Sequence, residues 1–215
     1  MKKYNIFITE KTEIFRKISR YYAKTLDVEI VSLFDSGLNG AAYLTSKNTV
    51  IKITPLYSEA NAVYKLIKKQ KTMNLKHIAE YYDIKQISLN NEIYYAIHLE
   101  LLKTNCDIYD LYREYLKLIG FYNKTHNNYL SHYKSYDVVI LFNEIKNKIS
   151  SKLYKFILQL IVLIKELESI NIENEDLHVI NLGYKSNDNL AIFDIIIFIE
   201  INHLSNMCEK IDKKI

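Results

Sequence analysis

The sequence predicts an α+β protein: a five-stranded antiparallel sheet with one inserted helix, followed by a mainly helical half. Three observations lead there. Short apolar segments with strand alternation follow one another through tight turns over residues 29–54, so their strands are antiparallel neighbours rather than a parallel α/β sheet. One helical period interrupts them at residues 58–71 before two more strand patterns. After Leu102 the apolar spacing becomes helical, and it is clearest over residues 151–170.

The elements follow in order. Residues 11–25 place Ile14, Phe15, Ile18, Tyr21 and Tyr22 at helical spacing. Residues 29–37, 40–48 and 49–55 read as three strands, the last closed by Pro55, the chain's single proline. Residues 58–71 read as a helix with Ser58 as N-cap and Val63, Leu66 and Ile67 on one face. Residues 77–88 and 92–102 read as strands four and five, joined through Leu89, Asn90 and Asn91. Helices are expected over 107–122, 138–148 and 151–170. A short hairpin of residues 178–186 and 190–198 follows, turning at Asn187, Asp188 and Asn189.

At 215 residues the chain is long enough for one good-sized domain or two small lobes. Hydrophobic residues make up 49% and charged residues 25%, ordinary for a globular protein, and the even spread of apolar residues excludes disorder. With only 4 glycines, each is expected to mark a backbone position needing positive φ or close approach. The richness in Lys, Asn, Ile and Tyr reads as the coding bias of an AT-rich genome. The net charge of +4 points to no acidic partner. The densest basic cluster, Lys65, Lys68, Lys69 and Lys71, reads as a solvated helix face in preference to a nucleic-acid patch. The 19 tyrosines are scattered, which suits packing better than base stacking. Cys106 and Cys208 offer no metal spacing and no disulfide framework, which fits a reduced compartment. No apolar run near the start suits a signal peptide, and residues 156–164 are half the length needed to span a bilayer.

Three groups of residues carry candidate chemistry. Gly37 and Gly40 sit at a strand turn, where bare backbone can approach phosphate oxygens; the alternative is an ordinary hairpin turn. Lys52 lies in the apolar strand Val50-Ile51-Lys52-Ile53, either aimed at phosphate or facing outward. Glu59 opens the next helix on the face of Val63 and Leu66. It needs a cation if it turns inward, with Lys52 the candidate, and otherwise complements the helix dipole. Asn181 and Asp194 are hard oxygen donors of the kind magnesium takes, and Asp176 can accept or orient a hydroxyl proton. Loop polarity explains each of these singly, although Asp194 follows Ile192 and Phe193 in an otherwise apolar stretch.

In this order the chain resembles the protein-kinase-like superfamily over residues 28–200. Gly37 to Gly40 is similar to a shortened Gly-rich loop, and Val50-Ile51-Lys52-Ile53 to the strand bearing the phosphate lysine. Glu59 is similar to the glutamate that pairs with that lysine. The segment His98-Leu99-Glu100-Leu101-Leu102 resembles the fifth strand entering the hinge, which implies that the backbone of Glu100 and Leu102 meets adenine. Asp176-Leu177-His178-Val179-Ile180-Asn181 resembles the catalytic loop, with His178 where a lysine is usual. Asp194 resembles the metal-binding aspartate. The resemblance implies a bilobal fold with residues 1–102 as N-lobe and 103–215 as a truncated C-lobe. ATP and Mg2+ are the implied cofactors, and the implied activity is transfer of the γ-phosphate to a protein Ser or Thr hydroxyl.

Departures shape that expectation. Asn174 and Glu175 replace the usual His-Arg, Ile195 and Ile196 follow Asp194 in place of Phe-Gly, and few residues remain after Asp194 for an activation segment. The chain is therefore similar to minimal kinases of bacterial effectors and phages. A pseudokinase that binds nucleotide or a partner, and a small-molecule kinase of the aminoglycoside type, are the alternatives. The expected partners are a protein substrate and an activating protein reaching the basic helix at residues 65–71, with no nucleic acid and no membrane. The expected location is cytoplasmic, in the producing cell or in a host.

Overall fold

The computed structural model describes residues 2–37, 40–104, 106–172, 177 and 179–193. Two compact units divide the chain. The first runs to Met73 and resumes over Glu80–Leu101; the second takes Asn74–Ala79 and the residues from Leu102 onward.

The first unit is the antiparallel sheet. Its strands are β1 (Ile30–Gly37), β2 (Gly40–Thr45), β3 (Thr49–Thr54), β4 (Tyr81–Leu89) and β5 (Glu92–Glu100). Their spatial order is β1-β2-β3-β5-β4. Helix α1 (Lys2–Thr25) is longer than the expected residues 11–25, since no glycine or proline interrupts the earlier turns. Its Phe15, Ile18 and Tyr22 join Tyr43, Ile51, Ile53, Tyr94 and Ala96 in one core on one sheet face. Tyr21, expected on the same stripe, is exposed and carries the Lys85 ammonium over its ring at 5.5 Å. The Tyr22 hydroxyl donates to Asp83 at 2.6 Å, tying the helix to edge strand β4.

Turn chemistry fixes the register. Asn90 and Asn91 both have positive φ (53° and 62°) between the paired Leu89 and Glu92, the two-residue turn whose twist matches the strands. Asn48 (φ 55°) closes the β2–β3 turn. Among the described residues every positive-φ position is Asn or Asp, and no glycine has positive φ. Of the two uses expected of the scarce glycines, positive φ is thus not theirs among the described residues: short polar side chains that tolerate the left-handed region take it.

Helix α2 (Tyr57–Gln70) buries Glu59, Ala60, Ala62, Val63 and Leu66. Ser58 is not its N-cap, contrary to expectation. The first helical bond runs from the Ala60 N–H to the Leu56 carbonyl at 3.2 Å, so Leu56 is the cap and Ser58 lies inside the first turn. The Thr54 hydroxyl accepts from the Leu56 N–H at 3.1 Å, so the chain turns into the helix two residues earlier than expected. Lys65, Lys68, Lys69 and Lys71 are all exposed.

The second unit is built on α3 (Cys106–His126), α4 (Ser135–Ile145) and α5 (Ser151–Ser169), with a 3-10 turn (Val179–Asn181) and a small hairpin, β6 (Leu182–Tyr184) and β7 (Leu190–Ile192). Helix α5 buries Leu153, Phe156, Ile157, Leu160, Ile161, Leu163, Ile164 and Leu167, the broad stripe of a central helix. Ser150 caps it by accepting from the Leu153 N–H at 3.2 Å. The first strand of the hairpin is shorter than expected, because Val179–Asn181 coils into the 3-10 turn.

Residues 77–79, expected to begin strand four, leave the sheet and belong to the second unit. Ile78 bridges Ile192 in parallel, and the Ala79 N–H donates to the Ile192 carbonyl at 2.8 Å. The Glu166 carboxylate accepts from the Lys76 and His77 N–H groups at 3.0 and 2.8 Å, and His77 Nδ1 lies 2.7 Å from the Leu190 carbonyl. The segment is extended and apolar, as its sequence suggests, but its partner is β7 rather than β5. Among the described residues no helix is long and apolar enough to cross a membrane.

Candidate functional site

In the first unit the sheet positions Lys52. Ala42 on β2 and Ile97 on β5 flank it in register. Strand alternation turns Lys52 away from Ile51 and Ile53, which face the α1 core. On that other face Lys52 Nζ meets Glu59 Oε1 at 2.6 Å, with side-chain exposures of 21% and 6%. Glu59 shares the buried face of α2 with Val63 and Leu66, so the inward acid has the cation its burial requires. Of the two readings of Lys52, the outward-facing one does not hold, because the ammonium is engaged across to α2.

Gly37 and Gly40 pair across the β1–β2 turn, whose Leu38 and Asn39 lie outside the described residues. Gly40 has a packing reason of its own. A Cβ there would stand 2.4 Å from the Ile53 carbonyl oxygen, so only a bare backbone fits beside β3. Glu100 ends β5, and its N–H donates to the Glu80 carbonyl at 2.8 Å. Its carboxylate accepts the Glu80 N–H at 3.1 Å.

The second unit holds Leu102 and Asn181. Leu102 is buried against Gly183, where a Cβ would lie 2.5 Å from the Leu102 Cβ. Next to it, Lys103 and Tyr184 exchange both backbone hydrogen bonds at 2.8 Å. Gly183 is a residue that the sequence reading missed, although the rarity of glycine was a signal for it. Asn181 ends the 3-10 turn and is buried, at 7% exposure. Its carbonyl accepts from the Phe193 N–H at 3.0 Å. The Tyr112 hydroxyl donates to the Leu177 carbonyl, both residues buried.

Asp176, His178 and Asp194 lie outside the described residues. Among the described residues no group of three His, Cys, Asp or Glu could hold a metal ion. The expected donor pair is of another kind: an amide oxygen from Asn181 and a carboxylate from Asp194. No protein-family model matches the chain, and no curated protein matches its sequence.

Proposed function

We propose that the chain is an ATP-dependent phosphotransferase of protein-kinase-like architecture, the first unit serving as N-lobe and the second as a reduced C-lobe. The substrate is a protein Ser or Thr hydroxyl. The observation that carries this reading is the Lys52–Glu59 pair. A strand lysine held by a buried helical glutamate is an arrangement for presenting a fixed positive charge, and phosphoryl transfer asks the protein mainly for positioning and charge stabilisation. A fifth of the Lys52 side chain stays open to solvent, which leaves it able to meet an anion.

The donor chemistry suits magnesium, which takes few protein oxygens and completes its shell with phosphates and water. Asn181 and Asp194 would hold the ion, and when bound it neutralises phosphate charge. Lys52 holds the phosphates, Glu59 holds Lys52, and the backbone of Glu100 and Leu102 receives the adenine edge. Asp176 orients the acceptor hydroxyl and takes its proton, and His178 takes the part that a lysine usually has in such a loop. The Ile195-Ile196 that follows Asp194 favours a second reading, a nucleotide-binding pseudokinase.

The test is thermal unfolding with ATP, with and without magnesium. A ligand bound only by the native state raises the melting temperature. The melting temperature should rise with magnesium present, a rise that Asp194→Ala abolishes and Lys52→Met diminishes. Equal behaviour with and without magnesium in the unmutated protein would argue against the metal assignment.

A further inference from the structure

We infer that Tyr112 is a positioning residue: its phenol holds the Leu177 carbonyl and thereby sets the turn that carries Asn181. This deepens the proposed phosphotransferase reading and rests on it for the role of Asn181. Four observations support it. The Tyr112 hydroxyl donates to the Leu177 carbonyl across 65 residues of sequence. Tyr112 is 4% exposed and Leu177 0%, so water cannot replace that bond. Helix α3 packs on the Val179–Asn181 turn. From the other side, the Phe193 N–H donates to the Asn181 carbonyl at 3.0 Å. The turn is therefore gripped on both flanks, by a side chain on one and by the end of β7 on the other.

The same helix provides a control. Tyr115 lies one turn on, its ring 6.1 Å from that of Tyr112, and it is also fully buried. Its hydroxyl has no hydrogen-bond partner among the described residues. The two tyrosines share helix, burial and ring packing, and differ in whether the hydroxyl holds backbone. Burial pushes the Tyr112 phenol well above its ordinary pKa, so it remains a donor throughout the usable pH range. A buried carbonyl that loses its donor pays the desolvation cost outright, and the local backbone opens more often.

The experiment compares wild type, Tyr112→Phe and Tyr115→Phe by hydrogen exchange. Peptides covering residues 177–184 should exchange about 10-fold faster in Tyr112→Phe, the factor for a lost hydrogen bond near the top of the usual range, while peptides from α5 stay as in wild type. Tyr115→Phe should leave both unchanged or slower. Unaltered exchange at 177–184 in Tyr112→Phe, or an equal rise in α5, overturns the positioning role. The second arm measures ATP dissociation constants with magnesium and with EDTA. Tyr112→Phe should weaken binding several-fold with magnesium only. If wild type binds more tightly with magnesium and Tyr112→Phe matches it in both conditions, the role toward Asn181 is wrong. If the exchange rises as expected but wild type binds ATP equally in both conditions, the turn is positioned by Tyr112 and the magnesium part of the functional reading falls.

Discussion

Replacing Lys52 by alanine leaves the Glu59 carboxylate, only 6% exposed, without its 2.6 Å partner. A buried charge stripped of its partner costs about 3–5 kcal/mol. The reverse change is milder. In Glu59→Ala the ammonium loses this bond but sits on a side chain 21% exposed, with a flexible stem that water can reach, and the loss should be about 1–2 kcal/mol. Removing both charges with apolar residues of similar volume, Lys52→Met with Glu59→Leu, should return stability to within about 1 kcal/mol of wild type, because neither ion then pays for desolvation. Urea unfolding of the four proteins measures all three values, and melting temperatures should follow at about 2–4 °C per kcal/mol for a chain of this size. The reasoning is refuted if Glu59→Ala is the more damaging single change, or if the double variant is as unstable as Lys52→Ala.

Three further outcomes are expected of the same structure. Tyr115→Phe and Tyr43→Phe remove buried hydroxyls that have no partner among the described residues, and each should stabilise the protein by about 1 kcal/mol in urea unfolding. Gly40→Ala and Gly183→Ala place a Cβ 2.4 Å from the Ile53 carbonyl oxygen and 2.5 Å from the Leu102 Cβ. Each should cost about 1–3 kcal/mol, with Gly40 the worse because backbone cannot yield; a neutral result at either site would contradict the close approach. His98 is held below its usual pKa of 6.5, by burial first and by Lys47 less, against Asp83, which raises it. Its ring bonds Thr49 Oγ1 at 2.8 Å. The unfolded chain then binds this proton first, so the stability difference is present above pH 6.5 and is lost as pH falls toward the lower folded value. The melting temperature should therefore drop on acidification less steeply in His98→Gln than in wild type, and parallel curves would count against it.

Much of the fold could be read from the residues themselves. Alternation marked β2, whose residues are buried on one face and half-buried on the other, while β3 showed as an apolar run because it buries Ile51 and Ile53 on one side and Val50 on the other. The stripe on α5 was legible because a central helix needs a wide apolar arc. What escaped was decided by partners distant in sequence. Residues 77–79 have strand composition, and nothing local says that Glu166 and Ile192 take their hydrogen bonds. Ser58 looks like a cap, but Pro55 and the Thr54 hydroxyl turn the chain earlier. The turns at Asn90-Asn91 and Asp188 were legible, but positive φ was also expected of the 4 glycines, and among the described residues only Asn and Asp adopt it. At the candidate site, the inward Glu59 and its need for Lys52 followed from helix spacing and the cost of an unpaired charge. The grip of Tyr112 on Leu177 did not, since one tyrosine among 19 carries no sequence mark.

Transfer of labelled γ-phosphate from ATP is the most direct measurement of the central claim. Wild type and Asp176→Ala would be compared at saturating ATP with magnesium, against the protein itself and a mixture of candidate protein substrates. Wild type should transfer phosphate. Asp176→Ala should bind ATP nearly as well and transfer at least about 10²-fold more slowly, the scale for losing a positioned base. Equal transfer by the two proteins would contradict the assignment of Asp176. Binding of ATP by both with transfer by neither would contradict the phosphotransferase account and leave the pseudokinase reading in its place.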